Sequence, residues 1–226
     1  MNHAKISPSG YKRWSNCPGS YTLQQKLGDL LPEDTGSDAA NLGTELHDNA
    51  EQALKTGSEP REEVAFYVNY CHQASTAPDA EVFIEHQVPL FYSREEHGYA
   101  DYIVRTDDCV HIIDLKTGRL TPTHRDDLRF YALIETLRSR QPPRSLGSYS
   151  LDSARLDEED VSEGLLQSAV RRTANGTLLI ADLVLKTRQP EVRPGFQCRW
   201  CPENETCEVG MKYLRQLSGE EDDTDL

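Results

Sequence analysis

The sequence predicts an α/β fold, a mixed central β-sheet flanked by helices. Three observations lead there. Two stretches of helical periodicity come before any extended segment. Three segments rich in β-formers then follow in close succession, and a fourth lies beyond one more helical stretch. The strict strand–helix alternation of a doubly wound parallel sheet is not in this order.

Taken in order, residues 7–16 read as a short helix, with Ser7 able to cap it and Pro8 suited to its first turn. Residues 28–41 are loop-like, rich in Gly, Pro, Asp and Ser. From Ala39 to Leu54, Leu42, Leu46, Ala50 and Leu54 recur four apart and predict a helix that stops at Lys55-Thr56-Gly57. A second helix is expected over 61–75. Strands are expected at 81–90, 98–104 and 110–116. A helix over 126–140, marked by Leu128, Tyr131, Ala132, Glu135 and Leu137, ends before Pro142-Pro143. Residues 145–151 read as a strand, and 157–173 and 177–186 as two helices. Residues 189–207 are rich in Pro, Gly and Cys and form a loop-dominated module.

A chain of 226 residues suits one domain with an appendage, expected over 1–218 with an acidic, disordered tail at 219–226. Mean hydropathy is −0.66 and no stretch approaches a membrane span. The N-terminus lacks an apolar signal region, so the expected location is cytoplasmic, with no membrane partner. The net charge of −14 argues against a simple nucleic-acid coat, and the body stays acidic without the tail. Between Lys116 and Arg144, however, seven bases face three acids. These bases make either a solvated helix face or a local phosphate-binding surface in a repelling body.

The chemistry concentrates in Val110-His-Ile-Ile-Asp-Leu-Lys116, with Asp101 thirteen residues before Asp114. Residues two apart on a strand share a face, so Asp114 and Lys116 point one way and Leu115 the other. An exposed ion pair would explain Asp-x-Lys alone. Ile112, Ile113 and Leu115 make the strand buried, and a charged pair there needs a reason. If the two strands form a hairpin, Asp101 comes near Asp114. His47 and Glu51 lie one helical turn apart beside the Leu46/Ala50/Leu54 stripe. An imidazole there completes an oxygen-rich metal site and biases it toward Mn²⁺ relative to Mg²⁺.

Gly43-x-x-x-His47, Gly98-x-x-Asp101 and Ile112-Ile-Asp-x-Lys-Thr-Gly118 together resemble the RecB-type branch of the PD-(D/E)xK nucleases. The resemblance implies a restriction-endonuclease-like core. It implies metal ligation by His47, Asp101, Asp114 and the Leu115 carbonyl, with Asp101, Asp114 and Lys116 as the catalytic set. Lys116 then positions the attacking water and stabilises developing charge. Glu51 falls in the second shell or on a second metal. The family usually carries Gln-x-x-x-Tyr on the next helix. Here Asp127 stands for the glutamine and Tyr131 matches, so an amide donor is replaced by a group that only accepts. Arg119, Arg125 and Arg129 are the candidate DNA contacts.

Six cysteines are present, three of them in Cys198-x2-Cys201-x5-Cys207. Such spacing favours metal over disulfides, and Cys17 is the best fourth ligand. Zinc and a [4Fe–4S] cluster both suit four thiolates. One early cysteine and three late ones resemble the iron–sulfur RecB-like exonucleases, CRISPR-associated and phage-encoded, which implies a [4Fe–4S] cluster tying segments 11–20 and 195–210. Cys71 and Cys109 read as ordinary buried residues. The expected function is a Mg²⁺- or Mn²⁺-dependent DNA exonuclease acting on single strands or duplex ends. Its implied setting is phage-type recombination, repair or DNA processing, with a recombination or helicase partner or an oligomer. The alternatives are a catalytically weak or inactive DNA-binding or recruitment protein on the same fold, and a zinc-stapled hydrolase of another phosphate ester.

Overall fold

A computed structural model describes residues 13–27, 38–89, 97–107 and 109–219. Of the expected helix at 7–16, only 13–16 is described and it is helical; of the expected loop at 28–41, residues 38–41 instead begin a helix; residues 7–12, 28–37 and 220–226 lie outside the described residues. The described residues fall into two compact units, one over 38–173 and one formed by 13–27 with 174–219.

The first unit is built on a five-stranded sheet, β1 (Glu81–Pro89), β2 (His97–Arg105), β3 (Val110–Lys116), β4 (Ser145–Ser150) and β5 (Arg155–Asp160), in that spatial order. Only β3 and β4 run parallel, so the sheet is mixed. The parallel pair needs a crossover, and the helix Pro122–Ser139 supplies it. Before the sheet come two helices, Asp38–Thr56 and Glu62–Ala74. With Pro18–Leu27 as α1, these are α2 and α3, and the crossover helix is α4.

The alternation of β3 sets the layers. Ile113 and Leu115 join Tyr102, Val104 and Tyr149 in one buried cluster with Leu46, Ala50 and Ala53 of α2 and Val64, Tyr67, Val68 and Cys71 of α3. The Tyr102 hydroxyl donates to the Cys71 carbonyl at 3.1 Å, so the phenol enters this core with its polar end satisfied. Ile112 and Asp114 point to the opposite layer, the side on which α4 crosses. There Glu135 is fully buried and receives both Arg105 and Arg138, the latter at 2.9 Å.

The sheet departs from expectation at its far edge. Residues 157–160, expected to start a helix, are strand β5, paired antiparallel to β4. The helix α5 then runs unbroken over Glu163–Val184, where two helices were expected. Asn175-Gly176 reads as a stop, but Gly176 is buried and the helix passes through it. Leu42, placed on the apolar stripe of α2, is largely exposed.

The second unit contains α1, the C-terminal part of α5, a 3-10 turn at Phe196–Trp200 and helix α6, Glu208–Ser218. Neither α1 nor α6 was anticipated. Pro18 occupies the first turn of α1, a position that from sequence reads equally as loop. Gly19 allows the close approach that anchors this helix: its N–H donates to the Glu191 carbonyl at 2.9 Å. A Cβ there would lie 2.6 Å from Val192 Cγ2 and 3.1 Å from Val192 Cα. Trp14 and Tyr21 meet edge to face at 5.3 Å and are both buried.

Candidate active site and cysteine module

The β2–β3 ladder pairs Tyr102 with Ile113 and continues toward Arg105 and Val110. Asp101 lies one residue beyond its last pair, opposite Asp114. The Leu115 N–H donates to Asp101 Oδ2 at 2.7 Å, so a carboxylate takes the place of the missing ladder acceptor. Asp101 Oδ2 also lies 3.7 Å from His47 Nδ1. His47 comes to this strand end because Gly43, one turn earlier on α2, packs against Thr117. A Cβ on Gly43 would stand 3.0 Å from Thr117 Oγ1. Thus Gly43 and Thr117, read as parts of separate motifs, meet and set the approach of the helix.

His47, Glu51, Tyr67, Ile84, Asp101 and Leu115 line one small cavity, with Ala50 and Leu54 completing it. Burial lowers the His47 pKa below 6.5 and outweighs the nearby Asp114 charge. His47 also has a hydrogen bond with the Leu115 backbone. Asp114 is almost fully buried, and its Oδ2 lies 2.8 Å from Lys116 Nζ. The contact is an ion pair, and Asp114 Oδ2 has no further hydrogen-bond partner among the described residues. Burial works against the Lys116 ammonium, but Asp114, Asp101 and Asp127 outweigh it, and its pKa stands above 10.5. Asp127 on α4 therefore acts on Lys116 through its field, from the layer to which Asp114 and Lys116 point.

Four of the predicted positions, His47, Asp101, Asp114 and Lys116, come together, along with the Leu115 backbone. Glu51 lines the same cavity but is ion-paired with Lys55. Tyr131 packs edge to face on Phe130 at 6.0 Å. The arginines differ from expectation. Arg125 grips Asp157 with two hydrogen bonds of 2.8 and 2.7 Å. Arg129 holds Glu159 at 2.9 Å. Both are strapped to the strand that sequence reading placed in a helix. Arg119 is exposed and has no ion pair among the described residues. Ser148 had escaped notice. It faces Asp114 in the β3–β4 register, is buried, and its hydroxyl has no partner among the described residues.

Among the described residues no three His, Cys, Asp or Glu side chains are gathered closely enough to hold a metal ion. The donor chemistry at the strand end nonetheless suits a hard divalent cation: two carboxylates, a carbonyl and a neutral imidazole. Asp114 Oδ2, ion-paired with Lys116, and Ser148 Oγ are buried polar atoms on the adjacent strands β3 and β4 that lack hydrogen-bond partners among the described residues.

In the second unit, Cys17, Cys198, Cys201 and Cys207 all line one apolar cavity. Backbone N–H groups of Arg193, Gly195 and Gly210 point at the sulfurs of Cys17, Cys198 and Cys207 at 3.5, 3.5 and 3.4 Å. Donors aimed at three sulfurs suit thiolates, which accept where thiols mostly donate. Cys201 differs: its thiol donates to Glu203 at 2.9 Å, and burial together with Glu203 pushes its pKa up to about 12. Glu203 is fully buried and also receives Arg13, a partnership the sequence did not announce. No disulfide links the six cysteines. Cys71 is buried, with its pKa pushed up to about 12 by burial. Cys109, expected to be buried, is half-exposed, 3.3 Å from Thr106 Oγ1 and 3.3 Å from His111 Nε2.

Residues 81–208 match the model of the PD-(D/E)XK nuclease superfamily. Residues 3–74 match a family described only as proteins of unknown function, DUF2800. No curated protein matches. Among solved structures, a “Putative exonuclease” from Eubacterium rectale is similar at a TM-score of 0.55 and 14% identity, over 92% of this chain and 87% of that one. SSO0001 is similar at a TM-score of 0.46 and 18% identity, over 86% of this chain and 82% of that one.

Proposed function

Since the chain belongs to the PD-(D/E)XK nuclease superfamily, we propose that it is a metal-dependent DNA exonuclease hydrolysing phosphodiester bonds of single strands or duplex ends. The observation that carries this reading is the meeting of His47, Asp101 and the Leu115 backbone at one strand end, with the Asp114–Lys116 pair on the same strand. A Mg²⁺ or Mn²⁺ ion held by His47, Asp101, Asp114 and the Leu115 carbonyl would supply Lewis-acid polarisation and lower the pKa of water.

The chain's own groups supply the rest. The Leu115 N–H fixes the Asp101 carboxylate before substrate arrives. The Leu115 side chain, sealed in the core, fixes the direction of its own carbonyl. His47 is neutral at pH 7, which leaves its nitrogen lone pair available. Lys116 remains an ammonium and offers protons to oxygens that gain charge in the transition state. Asp127 cannot donate as the family's glutamine would, but its field helps keep Lys116 charged. Arg119 is the arginine most available to a phosphate. Arg125 and Arg129 would have to leave Asp157 and Glu159.

The four-cysteine cavity suits a [4Fe–4S] cluster, with zinc as the alternative. The N–H groups aimed at three of its sulfurs support a thiolate site. Cys201 would give up its proton on ligation.

The test is cleavage of end-labelled single strands with Mn²⁺ or Mg²⁺. Asp114→Ala and Lys116→Ala should each lose about 100-fold or more, the scale of removing one electrostatic catalytic group. Equal activity in wild type and both variants would overturn the reading. DNA binding without cleavage by the wild type would favour the recruitment protein, which the Lys116–Asp114 pairing and the ungathered ligand set also suit.

A further inference from the structure

Two large aromatic residues stand in solvent inside the cysteine module. Trp200 is 70% exposed and Phe196 56% exposed. Their rings meet edge to face, with centroids 4.9 Å apart and planes at 76°. The guanidinium of Arg199 lies over the Phe196 ring at 4.8 Å. All three ride on the short 3-10 turn that contains Cys198 and ends at Cys201. The chain has two tryptophans, and the other, Trp14, is buried. Fully displayed rings of this size call for a partner.

Charge indicates which partner. The chain carries −14 overall, yet Lys186, Arg188, Arg193 and Arg199 face the single acid Glu191 between 186 and 200. Glu191 is taken by Arg193. Lys186 and Arg199 make no ion pair among the described residues, and Arg188 acts on Glu191 only through its field. Lys186 and Arg188 line a cavity of the same unit with Gln189 and Tyr21. A cation over a displayed ring, with further cations in the same short segment, suits a polyanion that also offers flat apolar faces. A duplex hides its base faces within the stack, whereas a single strand offers each of them.

We propose that Phe196, Arg199 and Trp200 form a stacking platform for the bases of single-stranded DNA, with Lys186 and Arg188 taking its phosphates. The inference rests on the nuclease reading and narrows its substrate to an unpaired strand. Stacking is indifferent to base identity, as an exonuclease requires, and the acidic body confines the strand to this cationic segment.

The experiment is binding, not cleavage. The full chain, purified anaerobically so that the cysteine site keeps its metal, is titrated without added Mg²⁺ or Mn²⁺ with fluorescently labelled oligothymidylate and with a blunt duplex of equal length, followed by anisotropy. Trp200→Ala should weaken single-strand binding about 10-fold, within the range for one base–aromatic stack. Trp200→Phe should retain most of it, and duplex binding should not change. Trp200 packs so little that thermal melts of the variants should overlay the wild type. Unchanged single-strand binding in Trp200→Ala, or equal weakening for strand and duplex, overturns the inference. So does a change only in sedimentation, which would assign the rings to a second copy of the chain. The nuclease reading stands apart: cleavage that depends on Asp114 alongside unaltered binding by Trp200→Ala sinks the platform alone. Lost binding in Trp200→Ala with Asp114-independent cleavage sinks the nuclease reading and leaves the platform.

Discussion

His47, proposed above as a metal ligand, has its charge state set by its surroundings. Burial beside the sheet disfavours its imidazolium, and the nearby aspartates only partly offset this. Its pKa is lowered in the folded chain, so over the interval below 6.5 the unfolded chain holds a proton that the folded one releases. Stability therefore rises with pH across that interval, is fully present above 6.5, and is lost as pH falls through the folded value. Urea melts of the chelated protein should show this slope in the wild type. They should show a flatter one in His47→Asn, which cannot titrate. A slope that survives the substitution would place its source elsewhere. Asp101, Asp114 and Lys116 could be located from sequence because strand periodicity fixes their faces. Ser148 and Glu203 could not, since a buried serine facing Asp114 and a glutamate facing Arg13 are products of register and long-range packing. Short-range spacing carries no record of either.

At the level of elements, the sequence was most readable where apolar residues repeat and least where polar ones do. The helix over 39–54 and the strands at 81–90, 98–104 and 110–116 were anticipated nearly to their observed bounds. Strand β5 was missed because Arg155-Leu-Asp-Glu-Glu-Asp160 has almost no β-forming side chains. Pairing with the fully buried β4 overrides that weak preference, and two carboxylates of β5 are then matched by Arg125 and Arg129 from α4. The same error hid the partners of those arginines and made them look free for DNA. Helix α1 was missed for the opposite reason: Cys17-Pro18-Gly19 punctuates like a loop, but Gly19 is there to admit a neighbouring backbone. Gly19→Ala should therefore destabilise the second unit by about 1–3 kcal/mol, the usual cost of overpacking. The contact is with Val192 Cα and the Glu191 carbonyl as well as a methyl group, so a rotamer change does not relieve it. Faster hydrogen exchange over residues 13–27, relative to the wild type, is the measurement. Unchanged protection there would mean that the 191–192 backbone yields freely.

For the molecule as a whole, the cysteine cavity joins an early segment to a late one across 181 residues of sequence, from Cys17 to Cys198. A ligand binding all four sulfurs would close that loop, and loop closure costs grow only slowly with length. Ligation free energy released in folding is then available to hold the second unit together. This unit has need of it. Among the described residues its buried apolar ones are few, among them Trp14, Tyr21, Ile180 and Leu183, against the large continuous cluster of the sheet unit. Removing the metal proposed for these thiolates, by chelation or by Cys198→Ser with Cys207→Ser, should thus act locally. Limited proteolysis should open residues 186–210 first, while the sheet over 97–160 stays protected, and the visible absorption of an iron–sulfur cluster should vanish in step. A colourless wild type with stoichiometric zinc would keep the stapling argument and change the metal. Uniform loss of protection across both units would mean that the metal stabilises the whole chain, and equal resistance with and without metal would mean that the four thiols hold nothing that folding requires.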